Sequence, residues 1–120
     1  MLSTVFWHGK RVLITGHTGF KGSWLTLWLQ RLGAQVYGIA LQPRTKPNLF
    51  ELAQAYEDVE SHFCDIRDAE RLAVLAHSGR PELVLHLAAQ PLVSTSYADP
   101  LGTLSSNIMG PAHLLDVLRC

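Results

Sequence analysis

The stretch VLITGHTGFKGSWLTLWLQRLG, residues Val12–Gly33, decides the fold. It opens with an apolar run that does not alternate with polar residues, which is typical of a strand buried on both faces of a parallel sheet. Three glycines follow at intervals of three, Gly16, Gly19 and Gly22, and after them apolar residues recur mostly every three or four positions. This change of period predicts a strand, a glycine-rich turn and a helix in succession.

A glycine-rich turn in this setting is typical of proteins that bind the diphosphate of a dinucleotide. The first glycine allows the tight turn, the second lets the backbone approach the phosphates, and the third lets the helix pack closely on the strand. The helix N-terminus adds free N–H groups and about half a positive charge. Gly16, Gly19 and Gly22 stand in the order that these roles require, so the sequence predicts a diphosphate-binding turn.

The rest of the chain continues the alternation of strands and helices. Strands are expected over residues 11–15, 35–41, 59–64 and 83–87. Helices are expected over residues 20–32 and 48–55, through Leu72, Leu75 and Ala76 to a stop at Gly79, and from Leu104 to the end, whereas residues 90–100, rich in Ser, Thr and Pro, read as a loop. Strict alternation predicts an α/β fold, a Rossmann-type parallel sheet with helices on both faces.

Composition excludes several classes of partner. Ten Lys and Arg balance ten Asp and Glu with no basic block, which argues against nucleic acid and anionic membranes. Cys64 and Cys120 have no metal-site spacing, and no run approaches the roughly 18 apolar residues of a membrane span. We expect a cytoplasmic protein with reduced thiols, no metal and no membrane partner.

Five segments together resemble the N-terminal part of the CDP-glucose 4,6-dehydratases, a family of the extended short-chain dehydrogenase/reductase superfamily. They are FWHGKRVLITGHTGFKGSWL, LFELA, HFCDIRD, HLAAQPLVSTSYADP and NIMGPAHLL. The glycine spacing also resembles the TGxxGxxG of that superfamily. The resemblance implies that residues 1–120 are the N-terminal part of an NAD-binding Rossmann-type domain, whose last strands and substrate domain belong to a longer enzyme. A sheet edge and an apolar helix face left uncovered after Cys120 would agree with that expectation.

The resemblance also implies a set of site residues. The cofactor-binding residues are Gly16, His17, Thr18, Gly19, Phe20, Lys21, Gly22, Asp65, Ile66, Ala88, Ala89, Gln90 and Asn107. The turn would hold the diphosphate, the Asp-Ile pair the adenine ring, and the residues after the fourth strand the ribose and nicotinamide. Asn107 would help to order the proton-relay region. Ser96 and Tyr97 are implied beside the sugar nucleotide.

The residues themselves leave several of these roles open. Asp65 and Asp68 are both candidates to cap the helix that follows, and His17 and Lys21 could be solvated turn residues. The hydroxyls of Ser96 and Tyr97 could belong to ordinary loop and cap residues.

Three aromatic side chains are expected in the core. Trp24 and Trp28 lie four apart on the apolar face of their helix, a spacing typical of core residues. His86 lies within an apolar strand and is expected to be a core histidine with its polar atoms satisfied.

The residues at the end of the second strand do not decide between NAD and NADP. An acidic residue there usually binds the ribose hydroxyls of NAD, and an Arg favours the phosphate of NADP. This chain has Gln42, which can bond a hydroxyl, and Arg44, which can meet a phosphate. The resemblance implies NAD.

For the whole enzyme, the resemblance implies oxidation of CDP-glucose at C4 by hydride transfer to NAD. Water is then eliminated across C5 and C6, and the hydride returns to C6, giving a 4-keto-6-deoxy sugar nucleotide. A homo-oligomer is expected. Two alternatives stay open, another extended-family epimerase or dehydratase and a non-catalytic nucleotide-binding module.

The catalytic Tyr-x-x-x-Lys pair of the superfamily is missing from this sequence. None of Tyr37, Tyr56 and Tyr97 has a Lys four residues later. We therefore expect no catalytic residue in this chain, which would bind the cofactor without turning over.

Overall fold

The structure, a computed structural model, describes residues 4–119. Its elements are α1 (Thr4–Trp7), β1 (Arg11–Thr15), α2 (Phe20–Arg31), β2 (Gln35–Ala40), α3 (Leu49–Leu52), β3 (Glu60–Phe63), α4 (Ala69–Gly79), β4 (Leu83–His86), α5 (Val93–Ala98), α6 (Pro100–Leu104), a π-helical segment (Ser105–Met109) and α7 (Gly110–Leu118). None of these helices is long and apolar enough to cross a membrane. Cys64 is a free, buried thiol, and Cys120 lies outside the described residues.

Four parallel strands form one sheet in the order β3-β2-β1-β4. The chain moves outward from β1 through β2 to β3 and then crosses back to β4 on the other side of β1. Ligands of open α/β sheets bind at the carboxyl ends of the strands where the order reverses in this way. The Rossmann-type parallel sheet expected from the sequence is confirmed.

The central strand β1 carries the core on both of its faces. Leu13 is fully buried in a cluster with Leu72 and Leu114, from α4 and α7. Ile14 points to the other face and packs in a second cluster with Leu29 from α2. The apolar run without alternation therefore corresponds to a strand covered by helices on both sides.

The expected loop over residues 90–100 is wrong, because most of it is the helix α5. The Ser96 hydroxyl donates to the Val93 carbonyl within that helix. Asp99 then caps α6 by accepting from the Gly102 N–H, and Pro100 occupies the first turn, where proline is tolerated. Ser, Asp and Pro are common in loops, but here Ser96 lies inside α5, and Asp99 and Pro100 form the start of α6.

The expectation that Trp24 and Trp28 lie in the core is also wrong, since they are 57% and 54% exposed. The buried face of α2 consists of Gly22, Ser23, Thr26 and Leu29. Small residues cover this face because α2 lies very close to the turn, where a Cβ on Gly22 would overlap the Gly16 carbonyl. The bulky side chains therefore lie on the outer side of the helix.

Candidate functional site

The turn between β1 and α2 lies at the carboxyl end of the central strand. Gly16 has a φ of +79°, in the left-handed region, and a Cβ there would lie 2.7 Å from the Ala88 nitrogen. Only glycine lets the turn pass this close to the chain that follows β4. The Gly16 N–H donates to the Ile39 carbonyl on β2 at 2.9 Å, so the turn is fixed between the two neighbours of β1.

Gly19 differs from the other two glycines of the turn. Its φ of −76° and ψ of 172° are available to any residue, and a Cβ there would come no closer than 3.4 Å, to the Gly16 carbonyl. Nothing in the described protein therefore requires a glycine at this position. Gly19 is the N-cap of the twelve-residue helix α2, whose first N–H groups have no intrahelical acceptors. The missing side chain leaves room for an anionic ligand in front of them.

Three further turn residues contribute in different ways. The Thr18 hydroxyl donates to the Leu41 carbonyl at 2.7 Å and ties the turn to the end of β2. Phe20 and Lys21 begin α2 with exposed side chains. The exposure of Lys21 agrees with the interpretation that it is a solvated residue. Its positive charge also remains available to an anionic ligand.

The side chain of His17 is fully buried, so it is not a solvated turn residue. Its Nε2 lies 2.6 Å from the Ser61 hydroxyl oxygen on β3, and its ring meets Phe50 edge-on with centroids 5.5 Å apart. Burial lowers the pKa of His17 to about 4, although the backbone of Ile39 raises the pKa and so offsets part of this effect. The imidazole is therefore neutral at pH 7.

Thr15 holds the start of the loop after β4. Its hydroxyl oxygen accepts from the N–H groups of Leu87 at 3.1 Å and Ala88 at 3.2 Å, and lies 2.5 Å from His86 Nδ1. Because both lone pairs are used, the hydroxyl proton goes to Nδ1, which gives a neutral His86 with its proton on Nε2. Burial lowers the pKa of His86 as well. His86 is nevertheless an exposed residue, so its expected place in the core is wrong, because β4 lies at an edge of the described sheet.

Gln90 and Asn107 are brought together. Asn107 Oδ1 accepts from the Gln90 N–H at 2.7 Å, and Asn107 Nδ2 donates to the Gln90 carbonyl at 3.0 Å. The buried Gln90 amide donates to the Leu92 carbonyl and the Thr103 hydroxyl, and accepts from the Leu92 N–H. The Asn107 side chain thus holds the loop after β4 against the π-helical segment, and the Gln90 side chain ties the same loop to Thr103 of α6.

Asp65 lies just after β3, where the N–H of Cys64 still donates to the Ala40 carbonyl. Its carboxylate accepts from Nε and Nη2 of Arg67 and from the Arg67 N–H. These bonds to Arg67 lower the pKa of Asp65. Asp68 caps α4 by accepting from the Arg71 N–H, so the alternative of Asp65 as that cap is wrong.

The remaining predicted residues are spread over the same edge of the sheet. Ile66 is buried, and a Cβ on Gly110 of α7 would overlap its side chain. Ala88 borders Gly16, as described above, and Ala89 is exposed. Ser96 and Tyr97 lie on α5, with Tyr97 85% exposed. Among residues 4–119, no three His, Cys, Asp or Glu side chains are grouped as a metal site requires.

Sequence reasoning missed Ser61, Thr15 and Arg67, which orient the predicted residues. One signal for the first was available. Gly38 is a glycine within a buried strand, which often marks a close approach, and a Cβ there would lie 2.6 Å from His17 Nδ1.

Comparison with known proteins identifies the family. Residues 13–120 match the family model described as GDP-mannose 4,6 dehydratase. The chain belongs to the GDP-mannose 4,6 dehydratase family. Its resemblance to the CDP-glucose 4,6-dehydratases is confirmed, since it is 52% identical over 119 residues to the CDP-glucose 4,6-dehydratase of Salmonella typhimurium, covering 99% of this chain and 33% of that protein.

More distant members agree with this assignment. A GDP-mannose 4,6-dehydratase of Yersinia enterocolitica is 32% identical over 117 residues, covering 92% of this chain and 31% of that protein. The chain thus spans about a third of the length of these relatives.

Solved structures share the fold of this family member. An epimerase of Methanothermobacter thermautotrophicus matches with a TM-score of 0.82 at 30% identity, over 98% of this chain and 34% of that one. The UDP-glucose 4-epimerase of Thermus thermophilus, solved as a complex with NAD, matches with a TM-score of 0.79 at 31% identity, over 91% of this chain and 33% of that one.

Proposed function

We propose that residues 1–120 form the N-terminal part of the NAD-binding domain of a CDP-glucose 4,6-dehydratase. Gly19 carries this proposal. Its backbone and surroundings would accept a side chain, so the glycine is explained by a ligand in front of the free N–H groups of α2. A dinucleotide diphosphate fits that position.

The residues present fit the other parts of the cofactor. The Asp65 carboxylate, oriented by Arg67, can accept from the amino group of adenine. Ala88, Ala89 and the Gln90 backbone would lie beside the ribose and nicotinamide, in a loop that Thr15 and Asn107 hold in place. Ser96 and Tyr97 would approach the sugar nucleotide.

NAD rather than NADP is favoured by a relative's complex and by charge. The Thermus thermophilus epimerase was solved with NAD. In this chain Arg44 lies near enough to Asp65 to contribute to the lowered pKa of that carboxyl. The Asp65 carboxylate thus compensates part of the Arg44 charge, which is then less available to bind the 2′-phosphate of NADP. The neutral Gln42 can form a hydrogen bond with a ribose hydroxyl of NAD.

In the whole enzyme, bound NAD would supply the acceptor for a hydride from C4 of the hexose, while the 4-hydroxyl would give its proton to a base. A proton from C5 and the hydroxyl of C6 would leave together as water, after which the hydride would return to C6 and a proton to C5. The part played by residues 1–120 is to bind and orient the cofactor, and we assign none of them an acid-base step.

The cofactor proposal is tested by titrating the full polypeptide with NAD and NADP. Gly19→Ala should weaken NAD binding tenfold or more, with little change in Tm, because the added methyl group has room within the protein. Arg119→Ala, which breaks an exposed ion pair with Asp116 near the end of α7, should leave the affinity for NAD unchanged. Equal NAD affinity of Gly19→Ala and the wild type would contradict the proposal.

The substrate proposal needs a separate assay. Full polypeptide with NAD should dehydrate CDP-glucose in preference to GDP-mannose and should not epimerise UDP-glucose. A UDP-glucose 4-epimerase is the second candidate, favoured by similarity to solved epimerases. Epimerisation without formation of a 4-keto product would replace the first candidate with the second.

A further inference from the structure

We propose that His17 is a positioning residue for the diphosphate-binding turn, which it holds in place through a hydrogen bond from its ring to Ser61 on β3. The inference rests on the proposed function, because the turn matters only if it binds a diphosphate. It gives a role to a residue whose side chain cannot reach a ligand, since His17 is fully buried.

The packing around the imidazole is specific. Gly38 of β2 lies directly against the ring, where a Cβ would lie 2.6 Å from Nδ1. Gly38 is paired with Ser61 in the sheet, so the ring crosses β2 at its one residue without a side chain and reaches the hydroxyl on the next strand. Phe50 of α3 closes the other side with its ring perpendicular to the imidazole.

His17 is held at both ends. Its carbonyl accepts from the buried Ser23 hydroxyl of α2 at 3.1 Å, and its Nε2 lies 2.6 Å from Ser61 Oγ. The turn is thus linked to the helix that follows it and to a strand 44 residues away. Of the neighbours of His17, Thr18 bonds to the Leu41 carbonyl just after β2, and Gly16 bonds to Ile39 of β2 and to Gly19 within the turn, so neither of these bonds reaches β3.

This arrangement uses a neutral imidazole, which can donate from one ring nitrogen and accept at the other. Within the described residues Nδ1 has no hydrogen-bond partner of standard geometry, although the Ile39 backbone lies near enough to raise the pKa of the ring. The bond to Ser61 is therefore the hydrogen bond of standard geometry that the ring makes. Loss of the Ser61 hydroxyl would leave a buried Nε2 unpaired as well, and the turn would lose its link to β3.

The consequence for the cofactor concerns geometry. The N–H groups at the start of α2 bind a diphosphate well only while they point to one place, since pre-organised donors need no reordering on binding. A turn freed from β3 would sample more conformations and bind NAD more weakly, although no residue that touches the ligand had changed.

A double-mutant cycle in the full polypeptide tests the inference. His17→Leu and Ser61→Ala should each weaken NAD binding about tenfold, and the double variant should bind no more weakly than His17→Leu alone, because both remove one interaction. Ser61→Thr keeps a hydroxyl and should restore the affinity, whereas Ser94→Ala, which removes an exposed hydroxyl on α5, should not change it. Additive losses, or Ser61→Ala with wild-type affinity, would overturn the inference.

Amide hydrogen exchange separates this inference from the proposed function. Ser61→Ala should accelerate exchange in residues 16–22 at least fivefold more than in β1. If the wild type bound no dinucleotide, the proposed function would fail, and the exchange comparison alone would decide the role of His17. Unchanged exchange in the turn would then overturn it.

Discussion

Asn107 and Gln90 form two hydrogen bonds, in which the side-chain oxygen of Asn107 accepts from the Gln90 N–H and its side-chain nitrogen donates to the Gln90 carbonyl. The pair joins the loop after β4 to the π-helical segment Ser105–Met109. π-Helical turns are rare and often occur at functional sites. Here the turn carries the residue that fixes the loop proposed to lie beside the nicotinamide.

Asn107→Asp should disrupt this pair. The carboxylate can still accept from the Gln90 N–H but meets the Gln90 carbonyl without a proton to donate, in partly buried surroundings. We expect a loss of about 1–3 kcal/mol in the free energy of unfolding, measured by urea denaturation, together with weaker NAD binding.

Asn48→Asp is the matched control for that change. Asn48 also accepts from a backbone N–H, of Glu51, and donates to a backbone carbonyl, of Thr45, but these two hydrogen bonds are exposed, whereas those of Asn107 are partly buried. Its replacement should therefore cost little. Equal losses from the two variants would mean that burial of the Asn107 pair adds nothing to its contribution.

Arg67→Ala should raise the pKa of Asp65 toward its ordinary value. The folded-state pKa of Asp65 is lowered chiefly by the Arg67 guanidinium, so the pair stabilises the fold above the unfolded pKa of about 4. That stability is lost as the pH falls through the folded pKa. The variant should show a smaller loss between pH 5 and 2, as well as weaker binding of NAD.

Carboxyl NMR titration of Asp65 measures this shift directly. The contribution to stability should stay below about 1 kcal/mol, because both side chains are partly exposed. Arg119→Ala, which breaks the more exposed pair with Asp116, should leave the pKa of Asp65 unchanged. An Asp65 pKa that is the same with and without Arg67 would refute the assignment.

Gly38→Ala should force the His17 ring out of its place. The new Cβ would lie against the imidazole, and overpacking of this kind costs about 1–3 kcal/mol. Thermal unfolding should show the loss. Adding His17→Ala makes room for the methyl group, so the double variant should lose less than the sum of the two single changes. A sum of independent losses would show that the two residues do not compete for the same space.

The strand, turn and helix at the start of the chain could be predicted because their signals are local. Arg11–Thr15 has the bounds that its apolar run predicts, and the end of α2 is followed by Gly33 with a φ of +88°. Glycine at that position is favoured by the backbone alone. Short-range periodicity and turn chemistry were sufficient there.

The orientation of side chains could not be predicted in the same way. His17 is buried because Gly38 and Ser61, more than twenty residues away, make a place for it. Trp24 and Trp28 are exposed because Gly22 lets a different face of α2 approach the sheet. A helix period shows that an apolar face exists but not which face the rest of the fold covers.

His17 gives the last prediction, a loss of stability in mild acid. Its pKa of about 4 in the folded protein lies below the ordinary histidine value of 6.5, because burial disfavours the charged ring. Between these values the unfolded chain binds the proton and the folded protein does not. The contribution of His17 to stability is therefore complete above about pH 6.5 and falls progressively down to about pH 4.

His17→Gln removes the titrating group while keeping an amide able to reach toward Ser61. The free energy of unfolding, measured in urea from pH 7 to pH 4, should fall less steeply for this variant than for the wild type. His86→Gln serves as the comparison, because the pKa of His86 is also lowered but the residue is exposed. A slope for His17→Gln equal to that of the wild type would mean that His17 accepts a proton in the folded state without cost, contrary to its burial.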